Sequence, residues 1–486
     1  MSAWTLFDDV RLVDATRERA SSPTALLVGD GRIEADGTSS SLLARVPTAE
    51  RDRVVRVDGK GRTLMPGLID AHCHMTYGDS LTQESQDLYT SVESRTLRAA
   101  WNVRRVLRAG VTSISQPGGS WYIGVALREA IARGMVTGPR MHTAGRYITT
   151  SNGLTDWYPE SVGVPDGSIG TLANTPADMV DNVRRQVKNG VDFIKLADSP
   201  VGEYQSFSDD ELKLIADVAH RLGVKVTIHA RGSAEVHGAL EAGFDWIMHG
   251  NMMSDEVISQ FAASRTPLVP TLLLLANAAD YGHLVGTPAP FIDGMRRMLE
   301  VTCDTLHRAH EAGVTFVAGT DTGFALTPYG EFHARELELL MTYAGLTARE
   351  AIAAATTNAA LTVGLEGEVG TLEPGMLADL LLVRGDPLAD VRVIQDVSNI
   401  EAVFLEGRPV TFDGSETVPW PNDRSHTYST AALTAELVRA ASNASRPAGE
   451  PSGGAAPRSR DPVQVELAHE IADAGITAVV PEPDRP

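Results

Sequence analysis

The chain has 486 residues, of which 43% are hydrophobic and 22% charged, and its formal net charge at pH 7 is −21. Its length suits one large domain with a smaller one, and its composition is ordinary for a soluble globular protein. The acidic balance argues against nucleic acid or an anionic membrane as a partner, because both require clusters of Lys and Arg.

The two cysteines, Cys73 and Cys303, exclude a disulfide framework. The opening residues MSAWTLFDDV do not combine a basic region with an apolar stretch, so they do not predict a secretory signal. No apolar run is long enough to span a bilayer. We therefore expect a cytoplasmic protein.

Both flanks of the chain are rich in predicted strands. Residues 1–65 alternate short apolar runs with turn residues, as in ALLVGDGRIEADG, and the same texture returns in residues 366–418, as in TLEPGMLADLLLVRGDP. Two β-rich segments around a long middle predict one small β-sandwich domain that is built from both ends of the chain.

The middle of the chain, residues 66–365, alternates short β-branched or apolar runs with amphipathic helical stretches. Capping boxes at Ser208 with Glu211 and at Thr347 with Glu350 mark helix starts, as does Thr175 before Pro176. The alternation predicts an α/β fold with a parallel sheet, and eight strands are the number that a (β/α)8 TIM barrel requires. The strand candidates are LMPGLIDAH, VTSISQ, RMHTAG, VDFIKL, VKVTIHA, DWIMHG, TPLVPTL and VTFVAGTD.

Residues 419–486 form a predicted flexible tail. Its segment NASRPAGEPSGGAAPRSR is small, polar and rich in Pro and Gly, which is typical of a disordered linker. The following VQVELAHEIADAGITAVV could form a short helix that docks on the body or on a neighbouring subunit.

Six polar side chains fall at the carboxyl ends of predicted strands. His72 and His74 end the first strand, and because residues two apart on a strand point to the same side, the pair can chelate one metal ion. In a barrel the carboxyl ends form the active face, so all six would converge there. Each alone would be an ordinary packed or capping residue, but together they predict a metal site. The other four are Lys195, His229, His249 and Asp321.

This set of residues, with PGLIDAHCH and TLEPGMLADLLLV, resembles the amidohydrolase superfamily, and in particular its binuclear branch with a carboxylated lysine. The resemblance covers residues 1–415. The shorter motifs DFIKLADS, HARG, HGNMMSDE, VPTLLLL and TPYGEFHARELELL are similar to those of prolidase-like carboxypeptidases, a cluster that includes ochratoxin, molinate and phenylurea hydrolases.

The resemblance implies a ligand set for two divalent ions. One ion would be held by His72, His74 and Asp321, and the second by His229 and His249. Carbon dioxide would carboxylate Lys195, whose carbamate would bridge the ions. We expect Zn²⁺, with Co²⁺ or Mn²⁺ as alternatives, since imidazole and carboxylate suit all three. A hydroxide bridging the ions would attack a carbonyl bonded to nitrogen, with Asp321 as the catalytic proton carrier.

Three further residues are candidates for substrate binding: Arg231, which could bind a carboxylate, and His142 and Tyr147, which could orient the substrate. The apolar stretch PTLLLLANAADYGHL favours a neutral amide, urea, anilide or carbamate, such as a phenylurea or thiocarbamate-like compound. The alternative is an Xaa-Pro dipeptidase or an N-acyl-amino-acid carboxypeptidase, either of which needs a basic anchor.

Two other classes fit less well. A deaminase of the superfamily typically uses one metal and has an acidic residue just after the strand-5 histidine, whereas Ala230, Arg231 and Gly232 follow His229. A non-catalytic barrel would lack several ligands, and this chain keeps them. We expect a homo-oligomer that acts on a small molecule.

Overall fold

The computed structural model describes residues 4–414 and 432–444 and shows a mixed α/β protein. In these residues the strands are β1 (Trp4–Leu12), β2 (Thr24–Gly29), β3 (Arg32–Gly37), β4 (Val55–Pro66), β5 (Leu68–Asp70), β6 (Val111–Gln116), β7 (Arg140–Thr143), β8 (Tyr147–Thr149), β9 (Gly170–Leu172), β10 (Phe193–Ala197), β11 (Lys225–Gly232), β12 (Trp246–Met252), β13 (Leu268–Val269), β14 (Leu380–Val383), β15 (Ile400–Leu405) and β16 (Arg408–Pro409).

The α-helices of the same residues are α1 (Ser39–Arg45), α2 (Gln83–Asp87), α3 (Val92–Arg108), α4 (Ile123–Ala132), α5 (Pro176–Lys188), α6 (Asp209–Arg221), α7 (Ser233–Glu241), α8 (Asp255–Ser264), α9 (Leu272–Tyr281), α10 (Ala289–Glu311), α11 (Arg335–Ala344), α12 (Ala348–Ala354) and α13 (Ala435–Ala444). In the part of the chain that the structure describes, none of the helices combines the length and the apolar character needed to cross a bilayer.

Both ends of the chain build one seven-stranded sheet, in the order β16–β15–β14–β4–β1–β2–β3. Its pairs are antiparallel except for β1 with β4, which run parallel. Phe7 of β1 and Phe404 of β15 meet edge to face with ring centroids 4.8 Å apart. The β-rich flanks predicted from the sequence therefore meet in a single sheet.

The middle of the chain forms two sheets whose strand pairs are all parallel. Their orders are β5–β6–β7 and β13–β12–β11–β10–β8–β9. Parallel neighbours need a crossover connection, which α3, α4, α6 and α7 supply between successive strands. Strands β10 and β12 are buried along their whole length, as expected when both faces of a parallel sheet are covered.

Hydrogen bonds link the edges of these two sheets through residues 315–318. Leu268 N of β13 donates to Thr315 O over 2.9 Å, and Val317 N donates back to Leu268 O over 2.8 Å. On the other side of the same segment, Ala71 N donates to Ala318 O over 3.0 Å. The segment thus lies between β13 and the end of β5.

The opposite edges of the two sheets also meet. Asp192 N, immediately before β10, donates to Thr143 O at the end of β7 over 2.9 Å. Strands β8 and β9 continue the sheet beside the carboxyl end of β10.

The first seven of the eight strands predicted for residues 66–365 are present as β5, β6, β7, β10, β11, β12 and β13. The eighth, VTFVAGTD, contributes a bridge between Phe316 and Leu268 rather than a full strand. Strands β8 and β9 are absent from the sequence prediction, because three-residue strands within a long loop have no readable alternation.

The predicted helix starts are confirmed. Thr175, Ser208 and Thr347 are the N-caps of α5, α6 and α12, and each forms a reciprocal capping box with the third helical residue. A cap of this kind satisfies backbone N–H groups that have no partner within the helix.

The described part of the predicted tail packs on the body of the protein. Leu433 is completely buried, and its N donates to Ala325 O over 2.8 Å. Helix α13 follows directly, with Ala435 N bonded to the Glu331 carboxylate over 2.9 Å. These residues belong to the predicted flexible tail. Its predicted docking helix, residues 463–480, lies outside the described residues, as does most of the Pro- and Gly-rich linker.

Candidate metal centre

Two histidines and an aspartate converge where β5 and residues 315–318 end. The ligand atoms of His72, His74 and Asp321 all lie within 4.8 Å of one another. The two Nε2 atoms are 2.9 Å apart, and Asp321 Oδ1 lies 3.3 Å from His72 Nε2 and 3.1 Å from His74 Nε2. All three side chains are at most 12% exposed. This spacing and donor set suit a divalent metal ion.

Second-layer contacts fix which ring nitrogen faces the centre. His74 Nδ1 lies 2.8 Å from Gly118 O, and since a carbonyl only accepts, Nδ1 carries the proton and Nε2 keeps its lone pair. His249 Nδ1 lies 2.5 Å from Thr271 Oγ1, whose own hydroxyl donates to Pro270 O. His249 Nδ1 is therefore the donor, and its Nε2 is left for a ligand.

The remaining predicted ligands surround this cluster without joining it at ligand distance. The rings of His229 and His249 have centroids 4.2 Å apart, and His249 is 5.3 Å from His72. Lys195 is completely buried on β10, with Nζ 2.7 Å from Met248 Sδ and 5.5 Å from the Tyr147 ring centroid. The structure thus gathers all six predicted residues around one place, with three in direct contact.

Burial sets the protonation of these groups. It lowers the pKa of His72, His229 and His249 well below the usual value, which favours neutral imidazoles that can act as ligands. It also lowers the pKa of the Lys195 ammonium. Burial alone would raise the pKa of Asp321, but His72 and His74 outweigh it and hold that pKa below its usual range, so the carboxylate stays ionised.

Two tyrosines complete the wall beside His74. Tyr147 OH lies 3.0 Å from His74 Nε2 and 3.0 Å from Tyr77 OH, while the Tyr77 ring stacks on His74 at 4.1 Å. Burial raises the pKa of both phenols, so each keeps a proton to donate. Tyr147 is among the predicted site residues, whereas Tyr77 is not, because its only signal in the sequence is its place three residues after His74.

His142 does not reach this centre. Its Nε2 lies 4.0 Å from the Asp192 carboxylate, its ring contacts Gly364, and it does not line the pocket above the histidines. Side chains alternate along a strand, and His142 follows Met141 with its ring directed away from the pocket. The predicted role of His142 in substrate binding has no geometric support.

The pocket in front of the histidines is lined largely by apolar side chains. Helices α9 and α10 supply an apolar wall, which consists of Leu274, Leu275, Phe291, Met295 and Met298. The aromatic lining comes from β8 and from the loops after β5, β8 and residue 321, and consists of Tyr77, Tyr147, Trp157 and Phe324.

Among the described residues, Arg231 is the one that brings a guanidinium to this lining. Its Nη1 donates to Asn251 Oδ1 over 2.6 Å, whereas its buried Nε has no hydrogen-bond partner among the described residues. None of the ion pairs formed within the described ranges 4–414 and 432–444 involves Arg231. A buried guanidinium that bonds through Nη1 and has an unbonded Nε beside Asp321 is suited to binding a planar anion.

The carboxylate of Asp70, which is not among the predicted site residues, accepts hydrogen bonds from the segments that carry the metal-site cluster. Its Oδ1 accepts from His72 N and from Thr320 N, both over 3.0 Å. Its Oδ2 lies 2.7 Å from His333 Nδ1. The segments that carry His72 and Asp321 are thereby tied to one carboxylate.

The fold and the site together define an α/β protein with a candidate divalent-metal centre at the carboxyl ends of parallel strands. The chain belongs to the amidohydrolase family, whose model matches residues 63–410. It is accordingly a hydrolase that acts on carbon–nitrogen bonds. The resemblance drawn from the sequence motifs is confirmed.

Ochratoxinase from Aspergillus niger is 29% identical over 391 residues, which cover 74% of this chain and 78% of that protein. Its crystal structure superposes with a TM-score of 0.72 at 25% identity, covering 85% of this chain and 96% of the other. A Xaa-Pro dipeptidase with bound methionine gives a TM-score of 0.71 at 25% identity, covering 84% and 100%. Two further structures share the fold. Molinate hydrolase gives a TM-score of 0.69 at 21% identity, covering 88% of this chain and 98% of the other. Phenylurea hydrolase B gives a TM-score of 0.67 at 20% identity, covering 87% and 100%.

Thr271→Val should weaken divalent-metal binding by roughly 10–100-fold, the usual cost of losing a second-layer partner of a ligating histidine. The change keeps the side-chain shape but removes the acceptor of His249 Nδ1. Competition with a chromogenic chelator measures the dissociation constant. The control is Thr342→Val on the exposed side of α11, and equal affinities for the two variants would contradict the role of Thr271.

Proposed function

We propose that this chain hydrolyses the amide bond between an apolar acyl group and an amino acid that carries a free carboxylate. The observation that carries the proposal is Arg231, whose guanidinium faces the pocket beside Asp321 with Nε unbonded. A cation is costly to bury unless a ligand or a side chain pairs with it. A substrate carboxylate bound there would meet that requirement.

The fold that we propose behind this site is a closed (β/α)8 barrel with the small β-rich unit attached. Support comes from the bonds that join β13 through residues 315–318 to the end of β5, and from the bond between Asp192 and Thr143 at the other edge. Residues 66–365 would form the barrel, and residues 1–65 and 366–418 a β-sandwich. The ligands then lie at the mouth, where barrels of this class place their chemistry.

We propose that the donor set holds two divalent ions. His74 Nε2, His72 Nε2 and Asp321 Oδ1 lie 2.9–3.3 Å from one another, an arrangement that a cation among them would stabilise. His229 and His249 would hold a second ion. Bound ions of this kind lower the pKa of water and polarise a carbonyl group.

Lys195 is the residue that we propose to be carboxylated. It is completely buried, its near neighbours are a thioether and a tyrosine ring, and no carboxylate within residues 4–414 or 432–444 forms an ion pair with it. An ammonium group among two cations and an arginine would be repelled, whereas a carbamate supplies two anionic oxygens to the same place.

The protein's own groups would divide the work of hydrolysis. Asp321 would accept the proton of the attacking water and pass it to the departing nitrogen, which is a poor leaving group until protonated. Tyr147, held by Tyr77 and His74, has a hydroxyl at the pocket surface that can donate to the substrate carbonyl oxygen. Arg231 would anchor the carboxylate, and the aromatic and apolar walls would exclude water.

One structural neighbour agrees with this substrate class. A Xaa-Pro dipeptidase by its name cleaves a dipeptide, which is an amide with a free carboxylate, and it matches 84% of this chain.

A second candidate function is hydrolysis of an uncharged amide, urea, anilide or carbamate. The observation in its favour is the apolar wall of α9 and α10, which includes Leu274, Leu275 and Met295 and offers no anchor for a charge. We rank it second because an uncharged substrate would offer no anion to the unbonded Nε of the buried Arg231 guanidinium.

Wild-type protein should hydrolyse an N-acyl amino acid with an apolar side chain faster than the matching C-terminal carboxamide. Arg231→Met should lower kcat/KM for the acid by roughly 100–1000-fold, the scale for a buried charge-assisted contact, and change the carboxamide rate far less. Steady-state kinetics with an aryl urea as a third substrate tests both candidates. A wild-type preference for the carboxamide or the urea would contradict the first one.

Lys195→Ala should lose both metals and activity, because the anionic oxygens that a carbamate on Lys195 would supply to the ions are lost, and short carboxylic acids should restore part of both. Metal per chain, measured by elemental analysis, is the primary readout. The control is Lys213→Ala, an exposed lysine of α6 paired with Asp217. Unchanged metal content in Lys195→Ala would rule out the bridge.

Asp321→Asn should keep much of the metal, since an amide oxygen can replace one carboxylate oxygen, but turnover should fall by roughly 100–10,000-fold with loss of the proton carrier. Metal content and kcat are measured on the same sample, with the exposed Asp304→Asn as control. A near-normal kcat would remove Asp321 from the proton path.

A further inference from the structure

Asn251 connects the pocket arginine to helix α10. It lies on β12 two residues after His249 and is completely buried. Its Oδ1 accepts from Arg231 Nη1 over 2.6 Å, and its Nδ2 donates to Thr302 Oγ1 over 3.0 Å. A single amide therefore holds the guanidinium against the helix that also supplies Met295 and Met298 to the pocket wall.

The orientation of this amide is fixed by its partners. Thr302 donates its hydroxyl proton to Met298 O over 2.7 Å, so towards Asn251 it can only accept. Arginine has donors and no acceptor. Both ends of the amide are thus determined, and Oδ1 must face Arg231.

The amide positions Arg231 without neutralising it. Glu235 is the acidic side chain of α7 nearest to Arg231 in sequence. Its carboxylate oxygens accept hydrogen bonds from the backbone N–H groups of Arg231, Gly232 and Ser199. Within the described parts of the chain no carboxylate forms an ion pair with the guanidinium. Asp321 acts on the guanidinium only through space, so the unbonded Nε is left to donate to a molecule in the pocket.

We propose that Asn251 sets the charge preference of this enzyme: by holding Arg231 through a neutral oxygen, it reserves the guanidinium for an anionic substrate. The inference rests on the proposed function and extends it to a positioning residue that does not touch the substrate. An aspartate has the same size, and at this place its carboxylate would pair with Arg231 and compete with the substrate carboxylate.

The test compares the full-length wild type with Asn251→Asp and Asn251→Ala, using an N-acyl amino acid and its carboxamide as a matched substrate pair. The readout is the ratio of kcat/KM for the acid to that for the carboxamide. We expect this ratio to fall roughly 100-fold in Asn251→Asp, through KM of the acid, and about tenfold in Asn251→Ala, which loosens Arg231 but adds no charge. The carboxamide rate and the metal content should stay near wild type.

The matched control is Asn182→Asp. Asn182 is also a buried asparagine that accepts from an arginine, here Arg185 Nη2 over 2.7 Å, but it lies on α5 outside the pocket. Its ratio should equal that of wild type, so that a general effect of a new buried carboxylate is separated from an effect at Arg231.

Each outcome decides between the two proposals. If wild type prefers the acid and Asn251→Asp keeps the same ratio and metal content, the inference on Asn251 is overturned while the proposed function stands. If wild type does not prefer the acid, both fall. Should Asn251→Asp not fold, Asn251→Ala decides alone, and an equal loss for both substrates in that variant would overturn the inference.

Discussion

The carboxylate of Asp70 joins the two chain segments on which the metal centre depends. It accepts from the backbone of His72 at the end of β5 and from the backbone of Thr320 immediately before Asp321. His333 Nε2 accepts from Gly330 N, so its Nδ1 carries the proton and donates to Asp70. Two parts of the chain that are distant in sequence, residues 70–72 and residues 320–333, therefore share one buried carboxylate. Each bond is stronger for being charge-assisted and removed from water.

Around Asp70, several buried side chains use one polar atom in a hydrogen bond within the protein and keep another polar atom available to the centre or the pocket. His74 and His249 each use Nδ1 on a protein oxygen and present Nε2 to the centre. Arg231 uses Nη1 on Asn251 and presents Nε. Pre-arranged groups of this kind need no reorganisation when charge develops in a reaction, which is how enzymes gain most from electrostatics in a dry pocket.

The sequence predicts the residues that occupy strand ends, because alternation and strand order alone decide where those side chains go. His72, His74 and Asp321 meet for that reason. Asn251 could not be found in this way, since its role depends on how α10 packs against β12 and brings Thr302 to it. Tyr77 depends on a loop that folds back onto His74. The strand order does not reveal which face of β7 His142 lies on, and its ring is directed towards Asp192.

The contact of Leu433 with Ala325 makes one pocket loop depend on a segment that is synthesised after the candidate ligands. Ala325 lines the pocket four residues after Asp321, and its carbonyl is satisfied by a residue that leaves the ribosome after every ligand of the centre has been made. The pocket loop of Ala325 therefore depends on residues that follow all the candidate ligands in the chain, so a nascent chain that ends before Leu433 leaves the Ala325 carbonyl without this partner.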